Sequence, residues 1–461
     1  MANDLFSQLN LLAEEKLADV SLTAGKYFNY YKVVQHALSY SGQLAPGKIL
    51  KNRIDQPVFI QALYYRIKSL VRPSVNVPVL HSILLFEGGR YTTTPDGKII
   101  SVYFHRVQEL FDRSTLSIVQ GRKDSALKDF DLSIDQFSSL SNRPLKREEH
   151  KVFNDVRDVY KNLNSSGIFT PLELQYISSA FHLFLEDFHR AYQLLIDSNV
   201  KVLLSETHYH KEGIIAAAKL LGVKFIEFQH GLISRKDLYY VYRKDIATVA
   251  GDALFPDKLL VFGPYWKSLL LEGGEHTEST IACVGDYSYV APAPQGVEKR
   301  EVLFIGAQKN MGDVYIPYIE QICSQILPNH AGWELWVKLH PFEKQPERYH
   351  ALKHLHGLKL FGNESNLHEL LASSKIQVSV YSTTFYDALG LDVLNLSIQN
   401  YSDQSDYARE MVSELVAFPV EFTDDPIAVY KAGLGGDLLT RDEVYAPFNE
   451  KLFESVIRNC F

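Results

Sequence analysis

From residue 201 the chain alternates short apolar runs with longer amphipathic ones. "KVLLSE" (201–206), "VKFIEF" (223–228), "KLLVFG" (258–263) and "TIACVG" (280–285) are the length of buried strands, and "EGIIAAAKLL" (212–221) and "PYWKSLLLEGG" have helical spacing. After "APAPQGVEKR" (291–300), which carries no periodicity and reads as a linker, the rhythm resumes. Strands are expected at "EVLFIG" (301–306), "WELWVKLH" (333–340), "KIQVSVYS" (375–382) and "DVLNLSI" (392–398). Helices are expected at 313–327, 367–374 and 384–391. Apolar strands alternating with helices predict parallel sheets covered on both faces. The pattern predicts two doubly wound α/β domains facing each other: 1–290, including a helical N-terminal region, and 301–461. Residues 1 to about 75 read as mainly helical. "RYTTTPDGKIISVYF" (90–104) reads as a hairpin turning on Pro-Asp-Gly, and 105–200 returns to helical spacing.

Composition narrows the class. With 461 residues, 46% hydrophobic and 22% charged, the chain has ample core for two or three domains. A net charge of −8 provides no global attraction to nucleic acid or anionic lipid and leaves that to a local basic patch. Cys283, Cys323 and Cys460 are scattered and form neither a zinc pattern nor a disulfide framework. The first twenty residues lack the basic and apolar regions of a signal peptide, and no 18-residue apolar stretch is present. The expectation is a cytoplasmic protein, with any membrane contact peripheral at the inner face.

Ligands of open parallel sheets bind beyond the carboxyl ends of the strands, which selects four segments. "YSTT" (381–384) places Ser382, Thr383 and Thr384 at a helix start. There hydroxyls either cap free amides or join them in holding a phosphate, with Asp387 one turn on. "KLHP" (338–341) ends a strand at proline, so His340 projects as a phosphate donor or packs as a structural histidine, and Lys338 shares its strand face. "SETHYH" (205–210) and "QHG" (229–231) follow neighbouring strands. They bring Glu206, His208 and His210 toward Gln229, His230 and Gly231. Gly231 is expected to turn the chain and admit a ligand to the backbone. A carboxylate among imidazoles suits acid–base chemistry; the same set could instead hold a metal.

Together these motifs resemble the GT-B glycosyltransferases over about residues 200–400. Within them they resemble the bacterial capsule and surface-polysaccharide enzymes of the polysialyltransferase-like and Kdo-transferase-like group. The teichoic-acid glycerophosphotransferases share the His-Gly and His-Pro logic. The resemblance implies that His340, Ser382 and Thr383 contact the donor's phosphate and that a residue of the first domain deprotonates the acceptor. The chain departs from the group at Asp387, where nucleotide-sugar enzymes often carry Glu, and in lacking an Asp/Glu-Asp-Gly base motif; Glu206 is the substitute base. The implied function is metal-independent, cofactor-free sugar transfer in capsule or O-antigen synthesis. The donor would be a nucleotide-sugar on the second domain and the acceptor a glycan or lipid-linked saccharide on the first, near Glu206, His208 and His230. Rival readings are transfer of glycerol phosphate or polyol phosphate from a CDP-linked donor, a sugar-nucleotide epimerase, and a non-catalytic glycan-binding scaffold.

Overall fold

The computed structural model describes residues 12–40, 58–71, 76, 78–94, 96–120, 129–235, 237, 239–240, 251–273, 276–288, 297–309, 311–340, 343–362, 364–399, 405–433 and 437–461. The chain forms two compact units, Ala2–Val290 with Ala446–Phe461, and Ala291–Tyr445.

The first unit is built on six parallel strands: β1 (Ile83–Phe86), β2 (Leu116–Val119), β3 (Val202–Ser205), β4 (Lys224–Phe228), β5 (Lys258–Val261) and β6 (Ile281–Cys283). Their spatial order is β6-β5-β4-β3-β1-β2. All residues of β1, β2 and β3 are buried, because helices cover both faces; hence apolar residues fill every position but Ser117 and Ser205. The unit's helices include α1 (Tyr31–Tyr40), α2 (Val58–Val71), α3 (Pro171–Leu195) and α4 (Glu212–Leu220). Thr170 caps α3, accepting from the Glu173 amide while the Glu173 carboxylate reaches back to the Thr170 amide, with Pro171 at the first helical position. Phe181, Phe188 and Tyr192 of α3 lie in one core with Ile215 and Ala218 of α4. The expected hairpin forms, pairing Tyr91–Thr93 antiparallel with Ile99–Ser101. β1 lies in a stretch to which no element was assigned and β2 in one read as helical, and both join the sheet.

The second unit has its own six parallel strands: β7 (Val302–Gly306), β8 (Glu334–Lys338), β9 (Leu358–Phe361), β10 (Ile376–Ser379), β11 (Leu394–Gln399) and β12 (Phe418–Glu421), in the order β9-β8-β7-β10-β11-β12. The short α5 (Thr384–Ala388) follows β10. β9 and β12 were not anticipated. β9 is only partly buried and β12 is interrupted by Pro419, as befits edge strands.

Residues 446–461 pack with the first unit, so a division into 1–290 and 301–461 needs that correction. The Ala446 amide donates to the Phe262 carbonyl at 2.9 Å, and its carbonyl accepts from Asp286 at 2.8 Å. Gly285, at φ +82°, lets the two backbones cross; a Cβ there would lie 2.2 Å from the Pro447 oxygen. The crossing leads into α6 (Glu450–Arg458), whose Phe453 is fully buried against Phe228 and Tyr287, ring centroids 5.6 and 5.9 Å away. Of the expected linker only residues 297–300 lie among those described.

Candidate functional site

Each sheet has one place where successive connections leave in opposite directions, opening a crevice beyond the strand ends. In the first unit it lies between β1 and β3, since the chain steps from β1 outward to β2 and returns on the other side. Phe86 and Ser205 are register partners there. Beyond them run Glu87-Gly88-Gly89-Arg90 and Glu206-Thr207-His208.

Glu206 occupies this point. Its carboxylate lies so close to Gly88 that a Cβ at position 88 would sit 2.1 Å from Oε2. The residue is 4% exposed, and its buried Oε1 has no hydrogen-bond partner. Burial raises its pKa from 4.5 to about 7; Arg90 and Lys211 oppose the rise and Glu87 adds to it. Lys211 is itself pushed down to about 8 by burial. Its ammonium donates to Ser205 Oγ at 2.7 Å, to the Thr207 carbonyl at 3.0 Å and to Thr207 Oγ1 at 2.6 Å, fixing the loop that carries Glu206.

Arg90 ties the neighbouring tip to this one. Its guanidinium donates to the His230 carbonyl at 3.1 Å and to Tyr103 Oη at 3.2 Å, and the Tyr103 hydroxyl donates to the same carbonyl. The His230 ring shares a hydrogen bond with the Tyr209 hydroxyl at 3.0 Å through Nε2, while its buried Nδ1 has no partner. Burial, helped by Arg90, lowers His230 to about 4, so the ring is neutral at physiological pH. The structure therefore brings Glu206 and His230 to one site, joined through Arg90.

The other expected residues of this unit stand apart. His208 is buried and paired through Nδ1 with the Glu227 carboxylate, which also accepts from the Tyr240 hydroxyl at 2.8 Å. His210 adopts φ 60° and packs against the rings of Tyr209 and His36. Gln229 is fully buried; its amide oxygen accepts from the Phe262 amide and its nitrogen donates to the Gly231 carbonyl, each at 2.9 Å, so it shapes the strand end from inside. Gly231 has no positive φ, and a Cβ there would meet nothing within 4 Å, so the turn does not depend on glycine. Among the described residues no three His, Cys, Asp or Glu side chains converge as a metal-ligand group.

The second unit's switch point lies between β7 and β10. Ser379 Oγ donates to the Gly306 carbonyl at 3.1 Å and hydrogen-bonds to the Tyr315 hydroxyl at 2.8 Å, closing the two strand ends together. Ser382 and Thr383 follow β10 directly. Thr384 is committed inward: its hydroxyl donates to Ser382 Oγ at 2.9 Å and accepts from the Gln377 amide. Thr383 is exposed and makes no capping bond, and α5 has only five residues, too short for the strong helix dipole expected at this end. Asp387 lies half-buried within α5.

On the adjacent β8, Lys338 is register partner to Gly306, and its ammonium donates to the Gly362 carbonyl at 2.6 Å. His340 lies just beyond, its pKa lowered by burial and by Lys309. It lines a cavity of about 350 Å³ with Glu343, His350, Lys353, Phe361 and Glu364. Pro341 lies outside the described residues.

Sequence reasoning missed Gly88, Arg90, Tyr103 and Lys211. The available signal was "SILLFEGGR": an apolar run ending in a carboxylate, two glycines and an arginine, the same form as the strand endings that were recognised.

No family model matches the chain, and no curated protein matches it. Solved structures with a similar outline include a UDP-GlcNAc 2-epimerase from Methanocaldococcus jannaschii, 12% identical over 82% of this chain and 99% of that one, TM-score 0.45. A putative UDP-N-acetylglucosamine 2-epimerase from Listeria monocytogenes is 13% identical over 82% and 95%, TM-score 0.45. A glycosyltransferase from Rickettsia africae is 13% identical over 83% and 98%, TM-score 0.43.

Proposed function

We propose that the chain is a glycosyltransferase using a nucleotide-activated sugar. The observation that carries this reading is Glu206: a desolvated carboxylate with one unpartnered oxygen, titrating near neutrality, at the switch point of a parallel sheet. A base of that strength suits deprotonation of a sugar hydroxyl near pH 7. The acceptor oxygen attacks the donor's anomeric carbon, its proton passes to Glu206, and the bond from that carbon to the nucleotide's phosphate oxygen breaks with its electron pair. Neutral His230 orients the acceptor. His340, Ser382 and Thr383 donate hydrogen bonds to the departing phosphate, with Lys338 nearby. The acceptor is a glycan or lipid-linked saccharide of a bacterial surface polymer.

The test is incubation with UDP-, GDP-, CMP- and CDP-linked donors, with and without oligosaccharide acceptors, in buffer with and without chelator. Acceptor-dependent nucleotide release and a sugar product lacking phosphorus are expected, unaffected by chelation. Conversion of the donor with no acceptor present would identify an epimerase. Phosphorus in the product would identify a phosphopolyol transferase, and glycan binding without nucleotide affinity a scaffold. Loss of activity with chelator, restored by one divalent ion, would overturn the metal-free mechanism.

A further inference from the structure

Helix α2 turns much of its apolar surface outward. It packs through Tyr65, which is buried edge-on against Phe153 at 6.0 Å and beside His189 at 4.7 Å. Away from that contact it presents Ile60, Leu63, Tyr64, Ile67, Leu70 and Val71, each 37–81% exposed. At 3.6 residues per turn these six fall within about 120° of the helix circumference, one unbroken stripe. Soluble proteins scatter exposed apolar side chains singly, and a continuous stripe marks a contact surface.

The charge beside the stripe says what it contacts. Arg66 borders one edge and Lys68 the other, the latter reaching Ser141 Oγ at 2.9 Å. In sequence the surroundings carry Lys48, Lys51, Arg53, Arg66, Lys68 and Arg72 against the single acid Asp55, within a chain of net charge −8. An apolar face edged by cations, in a stretch of sequence rich in Lys and Arg, has the form of a helix lying in the plane of an anionic bilayer. The side chains enter the acyl boundary and the cations meet lipid phosphates. No described helix is long and apolar enough to cross a membrane. We propose that α2 docks the first unit onto an anionic membrane surface, with Leu63, Ile67 and Leu70 inserted. This assignment stands independently of the reaction proposed above.

The experiment is co-sedimentation of the full chain with vesicles of phosphatidylcholine alone and of phosphatidylcholine mixed with phosphatidylglycerol, at low and high salt. Binding to the anionic vesicles is expected, weakening as salt rises. Leu63→Ser, Ile67→Ser and Leu70→Ser together should lower partitioning at least ~tenfold, since each removes an inserted apolar side chain. Because these positions are exposed, the thermal midpoint should hold. Arg66→Glu should weaken binding without touching the apolar stripe, and it carries the test if the triple variant fails to fold. The proposal is overturned if the wild-type chain stays in the supernatant with both vesicles, or if both variants bind as well as wild type. It is also overturned if the stripe proves to be a self-association face: a wild-type dimer, made monomeric by the triple variant, with no affinity for vesicles.

Discussion

Folded, the chain holds Glu206 protonated at pH values where the unfolded chain has already released that proton. The folded pKa of about 7 lies above the reference of 4.5, so the folded state binds the extra proton between those values and stability falls as pH rises through them. Above pH 7 the penalty is on the order of 3 kcal/mol. Glu206→Gln should therefore melt like wild type below about pH 4.5, and its advantage should widen to a plateau above about pH 7. The same substitution should abolish turnover and with it the acidic limb of the wild-type kcat profile, centred near pH 7. A wild-type profile flat between pH 5 and 8 would remove Glu206 from the role of base. Gly88→Ala tests position where Glu206→Gln tests charge. Its methyl must displace the carboxylate, so kcat should fall at least ~tenfold with nucleotide affinity unchanged.

At the scale of elements, the reading of residues as strand ends was more secure than the reading of what those ends do. The runs after 201 were legible because strands buried on both faces cannot alternate. β1 and β2 are similarly short and mostly apolar but sit among helical and hairpin segments, where a run of four residues carries little weight. Glu206 and His230 were legible as polar residues ending apolar runs. Arg90 was not, because its role depends on β1 pairing with β3 across more than a hundred intervening residues. Gln229 shows the converse: a polar residue at a strand tip that the fold spends on a loop amide and a carbonyl. In the Ser-Thr-Thr segment Thr384 bonds inward and the five-residue helix lends little dipole, which leaves Ser382 and Thr383 as its donors. The donor contacts should therefore weigh toward His340. His340→Ala is expected to lower kcat by roughly 2.7–4 kcal/mol of transition-state stabilisation with the melting temperature held. Ser382→Ala with Thr383→Ala should weaken nucleotide binding, measured by calorimetry, more modestly. A double variant that binds nucleotide as tightly as wild type would take both hydroxyls out of the site.

Across the whole molecule, the first unit is assembled from two separated stretches, with the second unit inserted between them. Phe453 brings the later stretch into the core of the earlier one, and Phe453→Ala should cost the first unit about 3–5 kcal/mol. Tryptophan fluorescence can assign that loss, since Trp266 reports on the first unit and Trp333 and Trp336 on the second. A lowered midpoint confined to chains keeping only Trp266 is expected; equal losses in both would mean the units unfold as one.

That interleaving sets an order of events during synthesis. A nascent chain emerges from the ribosome from its N-terminal end, and domains ordinarily fold in that order. Here the earlier-made unit must wait with the faces of Phe228 and Tyr287 uncovered until Phe453 has been translated, while the unit encoded between can close its own sheet first. The later-made unit is thus the one able to finish first, and a chaperone that shields apolar surface would find its substrate in the half made earliest.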